Sequence, residues 1–329
     1  MKISVVVTCL NEEENIRSCL ESLCSQDCVA NGFEVVVSDG ASRDRTQEIV
    51  REIARADHRV RLVVERKKGT AAGRNTGIRA SVNDFIAFID ADCEAPPDWL
   101  RTLATAFEEV KDNDSRLAAV GGANRPHPTA GRFVHAVGIA LDTYLGSFSS
   151  VQGRQLKVAK YVEGLSTSNA LYRKTALDEV GLYDESLMSE AEDADLNFRL
   201  RRAGYKFLYL PQSYVWHHLR SRPVEWFRNM YRYGKGRARL LKRHRSMWQP
   251  AFVLPPLFLV VMVSVFLVPW WWGFCLPLLY FPFIFSVALI QCLCKRAPSL
   301  APMVALVYIV QHFGYSFGEV YGLLNPKVR

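Results

Sequence analysis

Phe85-Ile-Ala-Phe-Ile-Asp-Ala-Asp92 is an apolar run that stops on two carboxylates one residue apart. Bounded by Asn83-Asp84 and by Pro96-Pro97, a run this short reads as a buried strand of a parallel sheet. Ligands of open α/β sheets collect outside the carboxyl ends of such strands, where Asp90 and Asp92 fall. Two hard oxygen donors there suit Mn²⁺ or Mg²⁺ held against a diphosphate, because such ions share their remaining positions with phosphate and water. Taken alone, a D-x-D pair fits solvated acids after a strand equally well.

Working outward, strand and helix signals alternate. Strands are expected over 3–8, 33–38 and 61–65, and helices over 11–23, 46–56, 71–80 and 99–110. Asn11 is expected to cap the first helix, with acids in its first turn. This alternation implies an α/β fold, a Rossmann-like, mostly parallel sheet with helices on both faces. Residues 125–157, with Pro126, Pro128 and a Gly-Ser-rich stretch, read as irregular.

Asp39 closes the second strand as Asp90 closes its own. An acid there either accepts hydrogen bonds from a nucleobase or caps the next helix as an Asx-turn, and the second strand-end acid favours the base. Asp44 reads as a cap. Glu192-Asp193-Ala-Asp195 looks like the first turn of a helix ended by Gly204, where the helix dipole favours acids for purely structural reasons. Crowded carboxylates also raise one another's pKa, as a general base requires, and Asp193 is the candidate. His217-His218 ends a further strand-like stretch; His217 fits either a metal ligand or a packing residue.

Composition changes sharply along the chain. Its net charge is +8 and its hydrophobic content 49%. The ten Lys/Arg between His217 and Arg245, against Glu225 alone, account for the whole positive excess. Three apolar runs follow, 251–268, 275–293 and 300–324, with Trp270-Trp271-Trp272 after the first. A span needs about 20 helical residues, so the first two runs read as membrane helices and the third, interrupted by Gln311, His312 and Glu319, as a further candidate. The basic stretch beside them points to a membrane with anionic head groups or to phosphate substrates, and not to nucleic acid. With no signal-peptide pattern ahead of Ile3, the first 250 residues are expected in the cytoplasm. The cysteines, Cys9, Cys19, Cys24 and Cys28 among them, lack zinc spacing and read as small apolar residues.

As a set these residues resemble the family 2 inverting glycosyltransferases of the GT-A fold. Thr8, Asn11 and Glu12 match the motif after the first strand; Asp39, Gly40, Ser42, Asp44 and Thr46 match the second. Arg74, Asn75 and Gly77 match the third, Asp90 and Asp92 the D-x-D, and Glu192 to Gly204 the acidic helix. The resemblance implies that Asp39 meets the nucleobase of a nucleotide-sugar, with Thr8, Asn11, Glu12, Arg74, Asn75 and Asp90 also at the donor. Asp90 and Asp92, with His217, would hold the metal. Asp193, beside Glu192, would take the acceptor's proton. Val7 stands where the family often has proline, and Gly73 where alanine is common.

The Gln-x-x-Arg-Trp segment of processive members is absent, and Arg232-Tyr-Gly-Lys-Gly-Arg237 stands there instead, which speaks against long-chain polymerisation. Arg232 and Lys235 suit diphosphate, lipid phosphate or head groups, on an amphipathic helix lying at a membrane surface. The expected organisation is a cytoplasmic GT-A domain over 1–220, a basic interfacial helix over 221–248 and a membrane anchor of two or three transmembrane helices over 249–329. The expected reaction moves a sugar from a nucleotide-sugar to a lipid-linked acceptor. A polyprenyl-phosphate glycosyl synthase needs no base for its ionised acceptor, so the Glu192-Asp193 pair leans away from it. A nucleotidyltransferase would need glycines after the first strand, and 9–15 has none. A non-catalytic scaffold predicts missing acids, and every motif acid is present.

Overall fold

All residues of β1 (Ile3–Cys9) except Thr8 are buried, as a strand covered on both faces must be. β1 pairs in parallel with β2 (Phe33–Asp39) on one side and β4 (Phe85–Asp90) on the other, with Val5 level with Val35 and Ala87. β3 (Val60–Val64) adds a fourth parallel strand beside β2. Beyond β4 the sheet becomes mixed. β8 (Ala170–Arg173) runs antiparallel to both β4 and β6 (Leu117–Pro126), β9 (Lys206–His217) lies parallel to β6, and β5 (Cys93–Glu94) antiparallel to β9. The order is β3-β2-β1-β4-β8-β6-β9-β5, with β7 (Lys160–Val162) also on β9.

Alternation along the strands feeds two cores. Val5, Val7, Val35, Val37, Ala87 and Ile89 pack with α1 (Ile16–Cys24), α2 (Thr46–Ala56) and α4 (Trp99–Lys111). Val6, Ile86, Phe88 and Tyr172 pack with α3 (Thr70–Ala80), α7 (Lys174–Glu179) and α8 (Glu192–Arg202). Each fully buried side chain such as Phe88 contributes about 1.5–3 kcal/mol. The sheet is therefore covered on both faces, as expected.

The computed structural model describes residues 1–27, 32–111, 114–147, 150–267 and 272–325, and for 265–267 and 272–276 the backbone alone. Cys28, Trp270 and Trp271 lie outside the described residues, as do the side chains of Trp272 and Cys275. Cys9 and Cys19 are buried thiols as expected, and Cys24 is half-buried.

Two compact units divide the chain: Met1–Pro128 with Ser149–Leu219, and Thr129–Phe148 with Arg220–Arg329. Within the second, α5 (Arg132–Leu141) and α6 (Tyr144–Ser147) replace the expected irregular stretch. Their apolar residues Val134, Ala136, Val137 and Ala140 are buried, which the surrounding prolines and glycines concealed.

The same unit contains α9 (Pro223–Arg243), α10 (Leu254–Leu267), α11 (Trp272–Cys294) and α12 (Ala301–Leu324). Among the described residues two helical segments, Pro277–Cys294 and Pro298–Leu324, are long and apolar enough to cross a membrane by length and composition. Among the described residues the first apolar run forms the 14-residue α10, shorter than the about 20 residues of a span. Glycines within the third run are contact points. A Cβ on Gly318 would meet the Tyr231 carbonyl oxygen at 2.0 Å, and one on Gly234 the Tyr315 carbonyl oxygen at 2.0 Å, so α9 and α12 cross at backbone distance. The face of α9 bearing Tyr231 and Ala238 thus packs against α12.

Candidate active site

The first two motifs brace each other. α1 begins only at Ile16, because Asn11 takes a positive φ of 54° and turns the chain out of helix. The Asn11 N–H then donates to Ser42 Oγ at 2.8 Å, the Glu12 N–H to Thr46 Oγ1 at 2.8 Å and the Glu13 N–H to Asp44 Oδ2 at 3.2 Å. In return Asn11 Oδ1 accepts from the Arg43 N–H at 2.9 Å. Asp44 caps its own loop, accepting from the Thr46 N–H at 3.0 Å, as expected. These side chains lock the loops after β1 and β2 together. Thr8, level with Asp90 across the sheet, stands at the rim beside them.

Asp39 ends β2 fully buried. Its Oδ1 accepts from the Ser42 N–H at 2.9 Å and Gln47 Nε2 at 2.6 Å, and its Oδ2 from Ser42 Oγ and the Cys9 thiol. The carboxylate that sequence reasoning gave to a nucleobase is therefore also the turn anchor weighed against that role.

Arg74 is the centre of the site. It lies 6% exposed on α3, over the ring of Tyr183, donating to Glu192 Oε1 at 2.8 Å and to Asp90 Oδ1 at 3.2 Å. One guanidinium fork thus ties the D-x-D strand to the acidic helix. The start of α3 makes the contact possible. Gly69 has φ +111°, and a Cβ there would sit 2.7 Å from Met188 Cα. With that room the Thr70 N–H donates to Ser189 Oγ at 2.9 Å and the Ala71 N–H to the Met188 carbonyl at 2.9 Å. Asn75, implied by the resemblance to contact the donor, is 2% exposed and bonded to the backbone of Tyr183 and to Glu185. Its amide holds the loop that carries Tyr183.

The three acids of α8 separate by environment. Asp195 is buried and accepts from Arg199 Nε at 2.6 Å, and Arg199 in turn binds the carbonyls of Val180 and Leu182, so Asp195 is a structural residue. Glu192 is buried against Arg74. Burial pushes its carboxyl up to about 7, with Arg74 pulling down and Asp193 pushing up. Burial likewise raises Asp90, against the pull of Arg74 and with Asp92 adding to the rise, although its side chain keeps 31% exposure. Asp193 is only half-buried, with Oδ1 accepting from the Ala194 N–H at 2.8 Å. The loop ahead of α8 holds Met188 at φ 58° and Ala191 at φ 63°, conformations that cost non-glycine residues about 1–3 kcal/mol each and are enriched at functional sites.

Asp92 meets His217 because β5 pairs with β9, Cys93 lying level with His217. Asp92 Oδ2 and His217 Nε2 are 3.3 Å apart. Two ligands of an ion bonded at about 2.1 Å stand roughly 3.0–3.5 Å apart for right-angled to tetrahedral geometry, so the pair fits a divalent ion. Burial holds the neighbouring Cys93 thiol far above its ordinary range, so it stays protonated there in the absence of an ion.

Sequence reasoning missed Tyr183, whose ring supports Arg74, and Asn124, whose Nδ2 lies 3.4 Å from His217 Nδ1. No spacing points to either, since each arrives from a distant element. Arg232 and Lys235 lie on α9, in the second unit.

The model of a family described as Glycosyl transferase family 2 matches residues 4–181. The chain is 29% identical to the succinoglycan biosynthesis protein ExoA of Rhizobium meliloti strain 1021, over 99% of this chain and 96% of that protein. It is 21% identical, over 98% and 97%, to a dolichyl N-acetyl-alpha-D-glucosaminyl phosphate 3-beta-D-2,3-diacetamido-2,3-dideoxy-beta-D-glucuronosyltransferase of Methanococcus voltae. Among solved structures, mannosyltransferase PcManGT from Pyrobaculum calidifontis, in complex with GDP-Man and Mn²⁺, superposes with a TM-score of 0.63 at 19% identity, covering 98% of this chain and 87% of that one. TarS 1–349 of S. aureus superposes with a TM-score of 0.52 at 19% identity, covering 98% and 91%. The shared fold bears out the GT-A reading of the sheet.

Proposed function

The chain belongs to glycosyl transferase family 2 and is a glycosyltransferase, and from that premise we propose that it moves one sugar, with inversion, from a nucleotide-sugar to a hydroxyl of a lipid-linked saccharide or glycolipid. The observation that carries this reading is the Arg74 fork, which joins Asp90 to Glu192 and so sets Asp193 beside the strand ends. Asp193, half-buried and next to that fork, accepts the proton of the attacking hydroxyl. Glu192 stays paired with Arg74. Asp90 orients the ribose, and Asp39 meets the base when the Gln47 amide yields its place. Asn11, Glu12 and Thr8 shape the floor under the nucleotide.

Asp92 and His217 hold the divalent ion, with Asp90 close by. Bound there, Mn²⁺ or Mg²⁺ supplies positive charge against the diphosphate that departs. The Mn²⁺ found with GDP-Man in the Pyrobaculum neighbour supports a divalent metal.

The acceptor class rests on the second unit. α11 and α12 anchor the chain in a membrane with several passes, and the basic face of α9, with Arg232 and Lys235, meets phosphate of anionic head groups or of the acceptor on the cytoplasmic side. The dolichyl-linked acceptor in the name of the Methanococcus relative supports the same class. A direct test incubates the full chain in lipid nanodiscs with Mn²⁺, a panel of nucleotide-sugars and lipid-linked saccharides. Release of nucleoside diphosphate that needs a saccharide acceptor supports the proposal. Release with polyprenyl phosphate alone would make the enzyme a synthase of polyprenyl-phosphate sugars, and no release with any donor would point to a scaffold.

A further inference from the structure

A second set of metal-ligating side chains lies apart from the Asp92–His217 pair. Glu94 is on β5, His127 is the residue after Pro126 at the end of β6, and His218 follows the end of β9. Because β6, β9 and β5 are adjacent in the sheet, these three residues converge from three neighbouring strands. His218 Nε2 lies 2.7 Å from Glu94 Oε1 and His127 Nε2 lies 3.7 Å from Glu94 Oε2, so both rings address one carboxylate, each at a different oxygen. The two imidazoles stack with centroids 4.8 Å apart and planes inclined by 19°, and the edge of Trp216 walls the side of His127. All three ligand atoms lie within 4.8 Å of one another.

We propose that Glu94, His127 and His218 form a second divalent-cation site, selective for borderline ions of the Zn²⁺ class and distinct from the ion that accompanies the diphosphate. Two imidazole nitrogens and one carboxylate are the donor set that zinc takes in its open sites, with a fourth position left to water or an exogenous ligand. Mg²⁺ and Ca²⁺ prefer all-oxygen coordination, and away from the oxygens of a bound diphosphate one carboxylate beside two imidazoles offers them too little. Exposures of 25%, 20% and 33% for Glu94, His127 and His218 leave the open side toward solvent. Ligands on one tetrahedral ion at about 2.1 Å stand roughly 3.4 Å apart, so His127 would close toward Glu94 and His218 would ease away from it.

The site has a consequence for its neighbour. Glu94 is two residues past Asp92, His218 is bonded in the chain to His217, and the His218 N–H donates to the Asp92 carbonyl at 2.9 Å. An ion on Glu94 and His218 therefore ties together the two backbone segments that carry Asp92 and His217. It braces the diphosphate's metal pair from outside the donor pocket. In this respect the inference rests on the function proposed above, but ion binding itself does not.

The experiment uses the full chain in detergent micelles, stripped with chelator, loaded with Zn²⁺ and then dialysed against excess Mg²⁺, with bound zinc measured by mass spectrometry. Wild-type protein retains one equivalent of zinc. Its Co²⁺ derivative shows the intense visible bands of a four- or five-coordinate N/O site. His127→Ala and His127→Gln each weaken zinc binding by about 100-fold or more, exceeding the 10–100-fold loss expected for an outer-shell partner. Asp92→Asn keeps the zinc. Failure of wild-type protein to retain zinc overturns the proposal. So does zinc that survives both His127 substitutions yet is lost in Asp92→Asn, which would put the ion at Asp92 and His217. Both readouts are independent of turnover, so an inactive enzyme that binds zinc through His127 would sink the catalytic reading and leave this one standing.

Discussion

Arg74 and Glu192, 118 positions apart, meet at 2.8 Å, and the same guanidinium reaches Asp90 at 3.2 Å. Glu192 is buried while Asp90 keeps 31% exposure, and one fork holds both. The contact makes α3 a strut between the strand that ends in the D-x-D and the helix that begins with the candidate base.

Arg74→Ala leaves the buried Glu192 without its cation, and Asp90 with its partly exposed carboxylate too, a loss of about 3–5 kcal/mol set mainly by the buried pair with Glu192. Urea unfolding of the full chain near pH 8 is expected to show that loss. Near pH 5 the deficit shrinks, because Glu192 can then take up a proton. Arg74→Lys restores the charge but not the fork, and is expected to fall between.

Glu192 gives the protein a pH dependence of defined sign. Its carboxyl stands at about 7 in the fold against an ordinary 4.5, with burial the largest cause. Between those values the folded chain holds a proton the unfolded chain has released, so this group's contribution to stability falls as pH rises through the window. Asp90, also raised, acts in the same direction. Melting temperatures of Glu192→Gln measured between about pH 5 and pH 8 should show a shallower decline than wild type. An unchanged slope would remove Glu192 from this role.

The α9–α12 crossing has no space for a side chain at Gly318. Gly318→Ala is expected to cost about 1–3 kcal/mol and Gly318→Leu more, as the helices part. Gly131→Ala, where a Cβ meets nothing within 4 Å, is the clash-free control, carrying only the cost of alanine at the start of α5. Thermal melting in detergent reads all three. A Gly318→Leu protein as stable as wild type would mean the helices do not approach this closely.

The parallel half of the sheet was legible because buried strands write themselves as short apolar runs ending in polar residues, as at Val7-Thr8, Ser38-Asp39 and Ile89-Asp90. The acids at those ends followed directly. Pairings made across long stretches were not legible: β8 returns antiparallel, and nothing in the spacing of Ala170–Arg173 records its neighbours. α5 was hidden by the prolines before it, and the role of Gly314, Gly318 and Gly322 by the distance in sequence to the α9 residues they meet. At the site, the motif residues were found but their division of labour was not. Asp195 carries the same carboxylate as Asp193 in sequence and Asn75 sits in a donor motif, and only their partners in the fold show that both hold the structure together. Tyr183 and Asn124 belong to no motif and meet the site through distant packing.

The central claim is that Asp193 takes the acceptor's proton. Single-turnover release of nucleoside diphosphate should be measured with wild type and Asp193→Asn at saturating donor, metal and lipid-linked acceptor, with donor affinity measured alongside. The account predicts that Asp193→Asn binds donor as wild type does and releases product about 10²–10⁴-fold more slowly, the range a positioned base supplies. Release at the wild-type rate from a protein with the asparagine in place would contradict it.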